Sequence, residues 1–96
     1  MLDLFNFLTG GIRGDVIGTD EVNHHDITIL VDTCFTLDTG YYETAVRVDN
    51  DDFIIVEEYD NSTQAMEGHK FWKDYCAQSN LNFVSIQTGR EYYYQF

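Results

Sequence analysis

Residues Phe53 to Cys76, FIIVEEYDNSTQAMEGHKFWKDYC, constrain the architecture more than any other stretch of this chain. Phe53 to Val56 is apolar at every position, as in a strand covered on both faces or lying at a sheet centre. The run ends in Tyr59-Asp60-Asn61-Ser62, whose polar residues suit the start of a helix. Asn61 with Gln64 three residues later has the form of a capping box, with Ser62 and Asp60 as alternative caps. Ala65, His69, Trp72 and Cys76 then recur at helical spacing as one stripe, which Met66, Phe71 and Tyr75 widen. This predicts the main helix over about residues 61–78. Gly68 costs such a helix about 1 kcal/mol relative to alanine. Its presence predicts a neighbouring strand close enough that a Cβ would obstruct it.

The flanking segments supply a sheet for this helix. Ile27, Ile29, Val31, Thr33, Phe35 and Leu37 alternate onto one face of a strand. Asp38-Thr39-Gly40 is turn chemistry, and Tyr42 to Val48 follows as a second strand. A second turn, Asp49-Asn50-Asp51-Asp52, leads to the strand that opens with Phe53, completing a three-strand antiparallel meander. Leu81 to Ile86 and Glu91 to Phe96 read as strands returning to the same sheet, joined by a turn at Thr88-Gly89. The expected fold is α+β, with an antiparallel β-sheet of about four to five strands and one main α-helix on one face. Residues 1–96 read as a single domain. Leu2 to Leu8 is apolar enough for a short N-terminal helix within residues 1–11 that docks on the body or anchors a partner. From Thr9 through Gly18 the chain reads as irregular and glycine-punctuated.

Charge narrows the class of partner. Seventeen acidic residues against five Lys and Arg give a formal net charge of -12. Solubility of a small domain asks for a magnitude of only about 2–8. Hydrophobic residues at 44% and aromatic residues at 16% are ample for a core, so the acidity does not imply disorder. Direct binding to nucleic-acid phosphates or to an anionic membrane is disfavoured, and a partner with a basic surface is favoured. No apolar run approaches the ~18 residues of a membrane span. The start lacks a basic n-region, which points to the cytoplasm. Cys34 and Cys76 do not make a disulfide framework and are expected to be small buried hydrophobes.

Candidate chemistry is sparse. His24-His25-Asp26, with His69 or Cys76, suggests a metal site, yet adjacent histidines on an extended chain point to opposite faces. No HExxH or paired CxxC spacing supports a metal, and no cofactor motif occurs. Asp49-Asn50-Asp51-Asp52 begins like a calcium loop but lacks the glycine and glutamate that complete one. Glu57 and His69 could serve acid–base chemistry, but no nucleophile motif or phosphate loop accompanies them, so no catalytic residues are assigned. Tyr92, Tyr93 and Tyr94 form a candidate aromatic patch, suited to a protein interface more than to base stacking in so acidic a chain.

Tyr59-Asp60, Ala65, Gly68-His69 and Trp72, preceded by Asp32-Thr33-Cys34, Asp38-Thr39-Gly40 and Glu43-Thr44, resemble a pattern in small bacteriophage proteins. The resemblance spans roughly Asp32 to Trp72 and implies a phage origin and an α+β fold. It carries over no catalytic residue. A small, acidic phage protein without catalytic motifs would in turn be a non-enzymatic accessory protein that binds a host protein in the bacterial cytoplasm. The host target would be a nucleic-acid-handling or antiviral-defence protein, inhibited in an anti-CRISPR or anti-restriction manner. Glu43, Asp49, Asp51, Asp52, Glu57, Glu58 and Asp60 are the candidate acidic partner-binding surface. Same-face strand residues lie about 6.5–7 Å apart, near twice the spacing of charges along one DNA strand, so DNA mimicry is part of this expectation. The alternatives left open are a small-molecule or metal sequestering protein using His24, His25 or His69, and a structural virion component or homo-oligomer.

Overall fold

The computed structural model describes residues 13–96. The short helix expected within residues 1–11 lies outside the described residues. Six strands and one helix follow in the order β1 (Arg13–His24), β2 (Ile27–Thr36), β3 (Tyr41–Val48), β4 (Ile54–Tyr59), α1 (Ser62–Cys76), β5 (Asn80–Val84) and β6 (Glu91–Gln95). The fold is α+β, as the patterning predicts. The first four strands form an antiparallel sheet in the order β1-β2-β3-β4, and α1 lies against all four.

Two expectations about the sheet are corrected. The stretch from Thr9 through Gly18, read as irregular, contributes to a strand, because β1 runs from Arg13 to His24 along β2. Its register slips between Arg13 and Val16 and again between Val16 and Gly18, which erases the period-two signal that alternation would leave. His25 and Asp26 form the tight turn into β2, with His25 in the left-handed region at φ 50. The last two strands do not rejoin the main sheet. They pair with each other as a separate hairpin, which the Ile86 N–H ties to Ile55 O of β4 at 3.0 Å.

Beneath the helix and the hairpin lies the main core: Ile29, Val31, Val46, Val48, Ile54, Val56, Cys76, Leu81 and Phe83. A smaller cluster of Cys34, Ala45 and Ile55 occupies the opposite face of the sheet. The two buried cysteines therefore sit on opposite sides of the sheet and are not joined to each other by a disulfide. Burial pushes the Cys76 thiol up to about 12. The uniformly apolar Phe53–Val56 run resolves into two faces through a bulge. Thr44 pairs with Glu57 while its neighbour Ala45 pairs with Ile55, so Val56 is the extra residue. Val56 and Glu57 consequently both point to the helix side, Val56 into the core and Glu57 onto Trp72.

The helix starts where its cap allows. Asn61 is extended at φ -146, ψ 168, and its side chain accepts the Gln64 N–H at 2.9 Å. Gln64 reaches back to accept the N–H of Asp60, one residue before the cap. Asn61→Ala is expected to cost about 1 kcal/mol. In a domain of this size that lowers the melting temperature by about 4–8 °C. Ser62→Ala should leave thermal unfolding nearly unchanged. The buried stripe is Ala65, Gly68, His69 and Cys76, with Trp72 and Tyr75 partly buried. Met66 and Phe71 do not widen it; they are 61% and 57% exposed. Among the described residues no helix is long and apolar enough to cross a membrane.

Candidate binding cleft

The β4 bulge and the α1 cap together shape a cleft of about 610 Å³ at the sheet edge. Glu57, Glu58 and Tyr59 form its strand side, and Gln64, Glu67, Gly68, Phe71 and Trp72 form its helix side. Glu57 is held by neutral donors. Its Oε1 accepts the Tyr59 hydroxyl at 3.0 Å and the Trp72 indole N–H at 2.9 Å. Among the described residues, no cation forms an ion pair with Glu57, Glu58 or Glu67. The cleft therefore combines the carboxylates of Glu57 and Glu67 with Tyr59, Phe71 and Trp72, while the Glu58 side chain turns to the opposite face beside Glu43; no lysine or arginine is among the lining residues.

Gly68 makes this arrangement sterically feasible. A Cβ built there would lie under 3.0 Å from Oη, Cζ and Cε1 of Tyr59. The predicted close approach exists, with a tyrosine ring from β4 as the approaching group. Burial, first of all, pushes the Tyr59 hydroxyl well above its ordinary value, so it stays a proton donor.

From Tyr59 a line of hydrogen bonds runs under the helix across the whole main sheet. Tyr59 Oη meets Thr44 Oγ1 at 3.0 Å, Thr44 meets Thr33 Oγ1 at 2.6 Å, and Thr33 meets His69 Nδ1 at 2.7 Å. His69 Nε2 closes on Asp20 Oδ2 of β1 at 2.8 Å. The same histidine explains Gly18, where a Cβ would stand 2.7 Å from Nε2. The hydrogen bond from His69, with further help from Lys73 at 3.8 Å, holds the Asp20 carboxyl below the usual carboxylate range. Both ends of this line, Asp20 and Glu57, are acceptors. A doubly protonated imidazole fills every link with a proton, whereas a neutral one leaves one link without. Glu57 and His69 thus share a face but do not meet in one cavity; two threonines and a tyrosine separate them.

The candidate acidic residues are redistributed by the fold. Glu43 leaves the surface set: it is 4% exposed and pairs across β3 and β4 with Glu58. Burial, then the adjacent Glu58, raises its carboxyl to about 7. Asp49, Asp51 and Asp52 are exposed in the turn before β4. There Asp49 accepts the Thr28 N–H at 3.0 Å and Asp51 accepts the Tyr94 hydroxyl at 2.8 Å. Glu57, Glu58 and Asp60 are exposed at the other end of the strand. The tyrosine patch divides by strand alternation. Tyr92 and Tyr94 pack against the core, and Tyr93 alone points outward at 67% exposure. His24 stacks on Phe96 at 4.6 Å, away from His69. Among the described residues no group of three His, Cys, Asp or Glu side chains is placed to hold a metal ion.

Of the cleft residues, the acidic surface predicted from sequence includes only Glu57 and Glu58. Glu67 carries no distinguishing spacing, Gln64 stands out only as the partner of the Asn61 cap, and Gly68, Phe71 and Trp72 stand out for packing alone. These features define a small α+β protein in which one helix crosses a four-stranded meander and a C-terminal hairpin extends the core. Compared with protein-family models, curated proteins and solved structures, the chain matches none.

Proposed function

We propose that this chain is a non-enzymatic accessory protein of bacteriophage type that acts by binding a host protein with a basic surface. The target class that fits is a nucleic-acid-handling or antiviral-defence protein, of the CRISPR or restriction kind, whose groove is built to attract phosphates. The observation that carries this reading is the cleft beside α1, where the carboxylates of Glu57 and Glu67 meet three aromatic rings and, among the described residues, no cation pairs with them. The net charge of -12 would steer a basic partner toward it.

Mimicry of a DNA strand is supported only in a coarse form. Apolar Phe53–Val56 separates Asp52 from Glu57 by roughly 15–17 Å of strand. The carboxylates thus gather at the two ends of β4 instead of forming a ladder at phosphate spacing. Two anionic footholds about five base steps apart are what such a surface offers a basic groove.

Affinity capture of the tagged chain from host lysate tests the reading. A basic host protein should be retained at ~0.1 M salt and released near ~0.5 M, where screening shortens the reach of exposed charges. Duplex DNA should compete with the chain for that protein. Retention indifferent to salt and to DNA would sink the electrostatic mechanism.

A further inference from the structure

We infer that the cleft between β4 and α1 receives an arginine side chain of the protein partner; this rests on the reading that the partner is basic. The chain itself supplies the comparison. At the far end of β4, Asp51, Asp52, Tyr92 and Tyr94 line a second cleft of about 350 Å³ together with Arg90. The Arg90 guanidinium lies over the Tyr92 ring at 5.2 Å. Arg47 likewise lies over Phe53 at 5.3 Å. At Arg90, then, a guanidinium shares one cleft with two carboxylates and two aromatic rings. The larger cleft offers similar chemistry with Glu57, Glu67, Tyr59, Phe71 and Trp72, but among the described residues no cation pairs with its carboxylates.

The details suit a guanidinium better than an ammonium. Both hydrogen bonds that Glu57 accepts fall on Oε1, which leaves Oε2 for an incoming donor. Trp72 and Phe71 stand edge to face, with ring centroids 5.2 Å apart at 89°. Phe71 is 57% exposed, so an apolar ring is offered beside the carboxylate. A planar guanidinium stacks on a ring and hydrogen-bonds a carboxylate with the same group, at a smaller dehydration cost than lysine. The cleft volume is within the range of sites that enclose a small ligand, enough for one side chain and the backbone carrying it.

Trp72 is the only tryptophan, so its fluorescence reports directly on the cleft. The experiment titrates the full chain with acetyl-Gly-Arg-Gly-amide, and with the lysine and citrulline versions of that peptide. The arginine peptide should change the emission saturably, with a Kd on the order of 1 mM. The citrulline peptide, isosteric but uncharged, should bind at least about tenfold more weakly, and the lysine peptide several-fold more weakly. Glu57→Gln keeps an acceptor for Tyr59 and Trp72 and should weaken arginine binding about tenfold; Glu67→Gln should weaken it with no part in that hydrogen-bonded pair. Asp15→Asn, an exposed carboxylate on β1 at the opposite edge of the sheet, should leave peptide binding unchanged. Citrulline or lysine binding as tightly as arginine overturns the inference. So does unchanged binding in both glutamine variants, or no saturation by about 10 mM. If the peptides fail while a basic partner is still captured in a salt-dependent way, the cleft assignment falls and the wider acidic-surface reading stands. If the peptide binds but no basic partner is captured, the reverse holds.

Discussion

Gly68→Ala is expected to destabilise the fold by about 2–4 kcal/mol, although alanine is the better helix former. Intrinsic propensity alone would make the change stabilising by about 1 kcal/mol. The opposing effect is steric, because the new Cβ would fall on the Tyr59 ring at three of its atoms. Tyr59 is 6% exposed, and its hydroxyl is held between Thr44 and Glu57. It cannot yield without losing those two hydrogen bonds, each worth about 0.5–1.5 kcal/mol net, or lifting the helix from the sheet. Urea unfolding of the variant should show the lower midpoint with a similar slope. Tyr59→Leu supplies the discriminating second variant. In that background the ring is gone, and Gly68→Ala should cost less than about 1 kcal/mol or become favourable. Strictly additive effects would mean that the glycine is required for some reason other than Tyr59.

That glycine also marks how far the sequence could be read. The helix, its cap and the three-strand meander are legible because each rests on local chemistry: the i, i+4, i+7 stripe, Asn61 before Gln64, and alternation from Ile27 to Leu37. β1 is hidden because its two register slips break the alternation, and Gly14 and Gly18 look like punctuation instead of space left for Phe35 and His69. The hairpin of β5 and β6 is visible as strands, but no local signal states which sheet a strand will join. The cleft is harder still. Glu57 enters it only because the β4 bulge keeps Glu57 on the same face as Val56, and a bulge has no mark in a uniformly apolar run. Glu43 looks like any solvated strand carboxylate until the register sets it against Glu58.

The hydrogen-bonded line from Asp20 to Glu57 connects the scaffold to the cleft. Its middle members, Thr33 and Thr44, are fully buried, so each hydroxyl must find its partners within the line. Tyr59 is then fixed by packing from Gly68 and by bonding from Thr44, and it in turn fixes one oxygen of Glu57. An anion oriented in this way loses little freedom when a guanidinium arrives, which is the physical meaning of a preformed site.

Glu43→Gln is expected to raise stability at pH 8 by about 1–3 kcal/mol and to flatten its dependence on pH between about 4.5 and 7. The ordinary carboxyl value is 4.5, and in the folded protein Glu43 is raised to about 7. Burial is the main cause; the neighbouring Glu58 and Asp38 add to it, and Thr39 opposes it. Within that window the folded chain binds the proton that the unfolded chain has released. Stability therefore falls as pH rises through the window, by an amount on the order of 3 kcal/mol in total. Glutamine cannot ionise, yet its amide can still donate to Glu58 across the β3–β4 pair, so the variant removes the charge and keeps the contact. Asp20 acts with the opposite sign in a different range. Its lowered value adds stability above the ordinary carboxyl range, which is lost as pH falls through its folded value. The wild-type profile should consequently peak on the acid side of neutrality, and urea midpoints at pH 5 and pH 8 measure the difference. A general relief of self-repulsion among the carboxylates would also favour acid, but Glu43→Gln would then shift the whole curve and keep its slope.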